Sequence, residues 1–174
     1  MKHKVSNFPL AELQKHVSYN PETGVFTRLI CHKRALKGAV AGYLIPQGYW
    51  HIQLKGQVFS QHRLAWFFTH GCWPLGDIDH ANGIRSDNRI ANLREATRSQ
   101  NLINFECRKD SKSGIRGVYL HKITGKWAAS CGYEGKQKHI GIFETKEAAA
   151  HAYREFATAI YGDFCHPINR GRAA

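Results

Sequence analysis

The chain has 174 residues, enough for one domain or two small ones. It carries 25 Lys plus Arg against 13 Asp plus Glu, a formal net charge of +12, so its composition points to a polyanionic partner: nucleic acid first, an anionic membrane surface second. No apolar run approaches the roughly 20 residues that span a bilayer, and "MKHKVSNFPLAELQKHV" has no uninterrupted apolar segment of signal-peptide type; the expectation is a cytoplasmic protein without a membrane partner.

Along the chain, "FPLAELQKHV" (8–17) predicts a short helix with Pro near its start. "NPETGVFTRLI" reads as a turn entering a strand. "GYWHIQL" and "VFSQHR", separated by "KGQ", alternate apolar and polar positions as two strands around a Gly turn do. In "HRLAWFFTHG", Leu64, Ala65, Phe67 and Phe68 suit one helical face, and Gly71 ends it. Short extended pieces flank "NGIRSDN" within 77–96, and Thr97 is a plausible N-cap for a second helix in "TRSQNLINFE". Around 108–114 the residues turn small and polar, which predicts a linker. Beyond it, "IRGVYLH", "GKWAASCGY" and "KQKHIGIF" predict a three-stranded antiparallel sheet. "TKEAAAHAYREFATAIYG" then predicts a helix with Thr145 as N-cap and Glu147 just behind it, close to a capping box. Ala148, Ala149, Ala152, Phe156, Ala159 and Ile160 would form its buried face. The fold class expected is α+β. The expected divisions are 1–107, a linker over 108–114, a second module over 115–168 and a tail over 169–174.

Cys31, Cys72, Cys107, Cys131 and Cys165 are odd in number, far apart and without a C-x-x-C pair. Buried free thiols in a reducing compartment are the ordinary reading, and no structural zinc is expected.

The chemistry concentrates in "DIDHANGIRSDNRIANLREATRSQN" (77–101), too polar for a core yet punctuated by Ile78, Ile84, Ile90 and Leu93. Phosphodiester hydrolysis needs a base to activate water, a cation for the developing oxygen charge, and a group that holds the base in line. His80 suits the first task, because imidazole titrates near neutrality. Asp79 offers a hard oxygen for Mg²⁺, with Mn²⁺ as substitute, and the Asn101 amide carbonyl offers a second. Asn92 can hydrogen-bond the backbone or the imidazole and fix the loop. Successive strand residues point to opposite sides, so Asp79 and His80 serve one phosphate only if the strand twists or each takes a different side. The alternative is that the Asn residues form turns and His80 is a satisfied surface residue. His62 either supports the site or simply begins the helix with its ring bonded to backbone, and the second role is favoured. Arg85, Arg89, Arg94 and Arg98 suit phosphate contacts, Arg94 above the others, against a solvated face paired with Asp87 and Glu95.

Asp79-His80, Asn92-Leu93-Arg94 and Asn101 at these spacings resemble the HNH endonuclease signature, and "QHRLAWFF" resembles the segment preceding it in phage and intron-encoded members. The resemblance implies a ββα-metal motif of two strands and a helix around one divalent ion. It implies that His80 is the general base, that Asp79 and Asn101 bind the metal, and that Asn92 orients the histidine-bearing loop. Many members have His where this chain has Asn101. Residues 113–168 resemble the plant ethylene-response-factor (APETALA-type) DNA-binding domain through Arg116-Gly117-Val118, Gly125-Lys126-Trp127, Gly141-Ile142-Phe143, the "EAAAHAYREFA" helix and Tyr161-Gly162. That resemblance implies a sheet lying in the major groove of double-stranded DNA. Arg94, Arg98, Arg116, Tyr119, His121, Lys126, Ser130, Gln137, Lys138 and His139 are the candidate DNA contacts. Where plant members carry base-reading Arg or Trp, this chain holds Tyr119, His121, Ser130, Gly132, Gln137 and His139, so the plant target sequence does not carry over. Alternation turns Val118, Leu120, Trp127, Ala129 and Cys131 towards the helix, and Arg116, Tyr119, His121, Ser130 and Gln137 towards the groove. Together these imply a homing-type or phage-borne DNA endonuclease. A DNA-binding regulator with a vestigial nuclease site is the alternative. The target site, nicking against double-strand cleavage, and the oligomeric state are not readable from the residues.

Overall fold

The computed structural model describes residues 8–31, 35–103 and 111–165. Cys107, residues 108–110 of the expected linker and the tail over 169–174 lie outside them; of the four described cysteines, all free, Cys131 and Cys165 are buried as expected, whereas Cys31 and Cys72 are exposed. The chain divides into two compact units between Glu95 and Ala96, with Ala81–Gly83 counted in the second.

In the first unit Pro9 precedes helix α1 (Leu10–Gln14). The expected helix over 8–17 stops early: the His16 N–H closes onto the Leu13 carbonyl, and Val17 already begins strand β1 (Val17–Tyr19). The "NPETG" turn follows, where the Asn20 side-chain oxygen accepts from the N–H groups of Glu22 and Thr23. It leads into β2 (Phe26–Arg28), which pairs antiparallel with β1. Strands β3 (Tyr43–Leu44), β4 (Trp50–Leu54) and β5 (Gln57–Ser60) form a second antiparallel sheet in that order. Lys55 and Gly56 both have positive φ (47° and 78°), which suits the two-residue turn between β4 and β5. The strand expected to run through "VFSQHR" ends at Ser60. Gln61, His62 and Arg63 are instead the first turn of helix α2 (Gln61–His70), which Gly71 closes in the left-handed conformation, φ 73°. Strands β6 (Asp77–His80) and β7 (Leu93–Ala96) form a two-stranded sheet, with a 3₁₀ turn at Ile90–Asn92 leading into β7. Leu13, Val17, Phe26, Ile52, Leu64, Phe67, Ile78 and Leu93 share one core, so α2 and both strands of the motif rest on the same apolar floor.

The second unit begins with helix α3 (Arg98–Ile103). Thr97 caps it reciprocally with Gln100: each backbone N–H donates to the other's side-chain oxygen. Strands β8 (Val118–Leu120), β9 (Trp127–Tyr133) and β10 (Lys136–Phe143) form an antiparallel sheet in the order β10-β9-β8, packed on helix α4 (Lys146–Tyr161). The Thr145 hydroxyl accepts from the Ala148 N–H at 3.2 Å. Glu147 stands one position short of completing a capping box, because Ala148 occupies the third place after Thr145. The buried face of α4 is Ala149, Ala150, Tyr153 and Ala157; Ala148 and Ala159 are exposed, so the face is rotated from the one expected. Small side chains let α4 approach the sheet closely, and Tyr153 fills the space under Gly117. A Cβ at Gly117 would lie 2.2 Å from that ring. The fold is α+β, as the alternation of patterns predicts. No helix among the described residues is long and apolar enough to cross a membrane.

Candidate active site and DNA-binding face

Asp79, His80, Asn88 and Asn92 are each less than 10% exposed. Buried polar groups are costly unless bonded, and each of these has a partner within the first unit. The His80 Nε2 stands 3.3 Å from the Asn88 Oδ1. With the amide oxygen as acceptor, Nε2 carries the proton and Nδ1 is left as the basic nitrogen. The Nε and Nη2 of Arg94 both donate to the Asp79 Oδ2, at 2.9 and 2.7 Å. The Asn92 amide donates to the Asp87 carbonyl at 2.8 Å, which ties down the loop that carries Asn88.

The loop is braced from the N-terminal hairpin as well. The Tyr19 hydroxyl donates to the Asn88 carbonyl at 2.8 Å, and Gly24, φ 74°, lies so close that a Cβ there would stand 2.5 Å from the Arg89 nitrogen. From the other side α2 brings His62 edge-on to His80, ring centroids 5.4 Å apart, with Tyr49 at 5.3 and 6.0 Å from the two imidazoles. His62 is therefore a wall of the histidine site as well as a first-turn helix residue. The Arg85 guanidinium lies over the Tyr49 ring and donates to the Gln47 carbonyl. Arg63 reaches from α2 to the carbonyls of Gly76 and Pro74 and so fixes the chain entering β6.

Burial pushes the His80 imidazole below its ordinary 6.5, and the Arg85 charge works in the same direction. The Asn88 hydrogen bond and the Asp79 and Asp87 charges oppose this without cancelling it. The ring thus stays neutral, the form a base needs, to lower pH than a free imidazole.

Asn88 is the functional residue that sequence reasoning missed. Between Asp87 and Arg89 it resembles any turn Asn, and only the fold of the 81–92 loop brings it back to the end of β6. Arg94, favoured for phosphate contact, turns inward to Asp79. Arg89 pairs with Asp87 at 2.5 Å, the alternative weighed for it. Arg98 is exposed on α3, and Asn101 lies half-buried on the same helix, in the second unit.

The donors fit a hard divalent ion. Asp79 is an almost buried carboxylate built with positive charge against it, and its oxygens suit Mg²⁺ or Mn²⁺. Among the described residues no group of three His, Cys, Asp or Glu forms a chelating cluster. A metal here would be held by few protein oxygens, with water and phosphate completing its shell.

In the second unit, register sorts the candidate contacts by face. Ala129 and Cys131 lie in the core under α4, so Ala128, Ser130 and Gly132 point away from it. Tyr119 pairs with Ala128, His139 with Ser130, and Gln137 with Gly132, so these four candidates and their partners share the outward face. Lys138 pairs with Cys131 and extends its ammonium over the Phe156 ring of α4, which places it on the helix side. Arg116 belongs to that side too, close enough to the buried Tyr153 hydroxyl to hydrogen-bond with it, rather than facing the groove. Leu120, expected under the helix, is 52% exposed at the edge strand. His121 bonds the Thr124 hydroxyl within its turn, and Lys126 pairs with Glu144.

A buried imidazole beside a clasped carboxylate, followed by a three-stranded sheet packed on one helix, is the arrangement to set beside known families. Residues 60–103 match the HNH endonuclease family and residues 113–163 match the AP2 domain. The chain is 30% identical over 95 residues to protein 3.8 of Escherichia phage T7, covering 54% of this chain and 78% of that protein. It belongs to the family of that phage protein, as an HNH endonuclease chain carrying an AP2 domain. Both domain types bind DNA, which makes DNA its partner. No solved structure matches it.

Proposed function

We propose that the protein is a divalent-metal-dependent endonuclease that hydrolyses phosphodiester bonds in duplex DNA, as a homing-type or phage enzyme acting in the host cytoplasm. Residues 1–107 are the nuclease region, and the sheet within 115–168 positions it. The observation carrying this reading is the buried His80 imidazole, 3.3 Å from the Asn88 Oδ1, beside the Asp79 carboxylate that Arg94 clasps. His80 takes a proton from water through Nδ1 as the water oxygen attacks phosphorus; the P–O3′ bond breaks and the leaving oxygen collects a proton from solvent. The products carry 5′-phosphate and 3′-hydroxyl ends. Asp79, with Asn101 as second oxygen donor on the strength of the motif spacing, holds Mg²⁺. When bound, the ion stabilises the negative charge developing on the phosphoryl and leaving oxygens. Asn92 holds the loop, and Arg94 orients the Asp79 carboxylate. Tyr119, Ser130, Gln137 and His139 face the bases; Arg98, His121 and Lys126 contact the backbone.

A plasmid nicking assay with Mg²⁺ and with EDTA tests this. Nicking should require the metal, and His80→Ala should abolish it while gel-shift affinity stays within a few-fold, because a base acts on the transition state. DNA binding without nicking under any divalent ion would leave a regulator with a vestigial site.

A further inference from the structure

The strand register places three rows on the outward face of the second unit's sheet. Tyr119, Ala128 and Ile142 form the first, because Ala128 pairs with both neighbours. Ser130 and His139 form the second, Gly132 and Gln137 the third. Ile142 joins this face because a bulge between His139 and Gly141 reverses the alternation of β10. Tyr119 and Ile142 are 45% and 42% exposed, while Ala128 between them is fully covered although it lies outside the core under α4. The two open positions of the first row, Tyr119 and Ile142, are thus apolar, on the face that bears the candidate base contacts. Among the described residues no Lys or Arg belongs to these three rows; Lys126, next beyond the first on the same alternation, has its ammonium held by Glu144.

The major groove presents each base pair as a distinct set of donors, acceptors and methyl groups. Guanine is most often read by the paired donors of Arg or Lys, thymine by apolar contact with its C5-methyl, and adenine by the amide of Asn or Gln on N6 and N7. Rows on one face of a strand repeat about every 6.8 Å, roughly two base-pair steps. We infer that this face reads A·T base pairs: Tyr119 and Ile142 of the first row pack on thymine methyl groups, and the Gln137 amide pairs with an adenine edge about four steps away. The inference rests on the reading that the sheet docks on duplex DNA, and it names the sequence class such docking selects.

The test uses the full chain in EDTA, so that cleavage does not interfere. Sites are selected from random duplexes and then remade with uracil for thymine, which removes only the C5-methyl, and with 7-deazaadenine for adenine, which removes the N7 acceptor. The selected sites should contain A·T pairs at fixed positions. One uracil substitution should weaken binding about four-fold, the value of one buried methyl. Ile142→Ser should bind thymine and uracil sites alike, and Gln137→Ala should lose its preference for adenine over 7-deazaadenine. Selected sites with invariant G·C pairs, or sites indifferent to both base analogues, would overturn the inference while leaving duplex docking intact. Failure to retain any duplex at low salt would overturn the docking itself, and the inference with it. The two analogue measurements on the unaltered protein do not depend on how well the variants fold.

Discussion

Two single residues of the proposed site have consequences that can be measured. His80 is depressed below 6.5, chiefly by burial. A base works only when neutral, so the cleavage rate at saturating DNA should hold its plateau below pH 6.5 before it falls. A cation bound at Asp79 pushes in the same direction. Asn88→Ala removes a bond that favours the charged ring, so its acid limb should move lower still, even as the rate drops from lost orientation. An acid limb at or above 6.5 in the unaltered protein would contradict the burial account. Arg94 makes the second case. Its guanidinium is about one-fifth exposed and the Asp79 side chain 5% exposed, so the pair is more than a surface bridge. Arg94→Ala removes the charge partner of a buried carboxylate, and unfolding should become easier by about 3 kcal/mol, the low end of the range for broken buried pairs. Mg²⁺ should recover part of that loss by replacing the missing positive charge. Urea titrations of both proteins with and without Mg²⁺ would show it, and an equal Mg²⁺ response in the two would rule it out. Asp79, His80, Asn92 and Asn101 could be proposed from the sequence because hydrolysis restricts the choice of side chain, and the burial of the first three agrees with a built site. The inward turn of Arg94 could not, because an arginine that meets phosphate and one that meets a carboxylate look alike in a sequence.

Elements explain what position alone left open. The hairpin of β1 and β2 has no catalytic residue, yet its Tyr19 hydroxyl and Gly24 hold the Asn88 backbone. Nothing in "NPETG" announces that role, since the same letters form a turn anywhere. Gly24→Ala would strain a left-handed position and press a methyl into the Asn88–Arg89 peptide. The loop must yield, so turnover should fall at least ten-fold while DNA affinity changes little, in the pattern of a displaced positioning group. Gly38→Ala also occupies positive φ, 87°, but has nothing within 4 Å, and serves as the control for strain alone. The strands of the second sheet were legible from alternation and turn residues, but their faces only in part. Tyr119, Ser130 and Gln137 were sorted correctly by parity. The face of Ile142 was not readable from the sequence, because a one-residue bulge flips every side chain beyond it. The face of α4 was misjudged for a related reason: six alanines fit several helical stripes equally well, and Tyr153, the side chain that decides among them, is not obviously apolar.

At the scale of the whole molecule, the motif and the compact units do not share a boundary. The sequence suggests a break at the small polar residues 108–114, with the nuclease signature complete before it. In the structure Ile103 of α3 is 5% exposed and belongs to the core formed by Val118, Cys131, Ala149 and Tyr153. A six-residue helix has little stability of its own, so the helix bearing Asn101 depends on the second unit for its anchorage. A deletion of 113–174 therefore does more than remove a DNA reader. The sequence alone leads one to expect residual nicking at high enzyme concentration, whereas the packing of Ile103 predicts that concentration will not rescue it. Ile103→Ala in the full chain separates the two effects. It removes buried methyl groups at a cost of about 2–4 kcal/mol, within the second unit and away from the outward face of its sheet. Gel-shift affinity for a selected duplex should stay within about three-fold at a temperature where the protein remains folded. If Asn101 is a metal ligand, the Mg²⁺ concentration for half-maximal cleavage should rise, as it should for Asn101→Ala. Matching Mg²⁺ titrations for Ile103→Ala and the unaltered chain, alongside a raised requirement in Asn101→Ala, would mean that α3 keeps its ligand in place without the second unit's core.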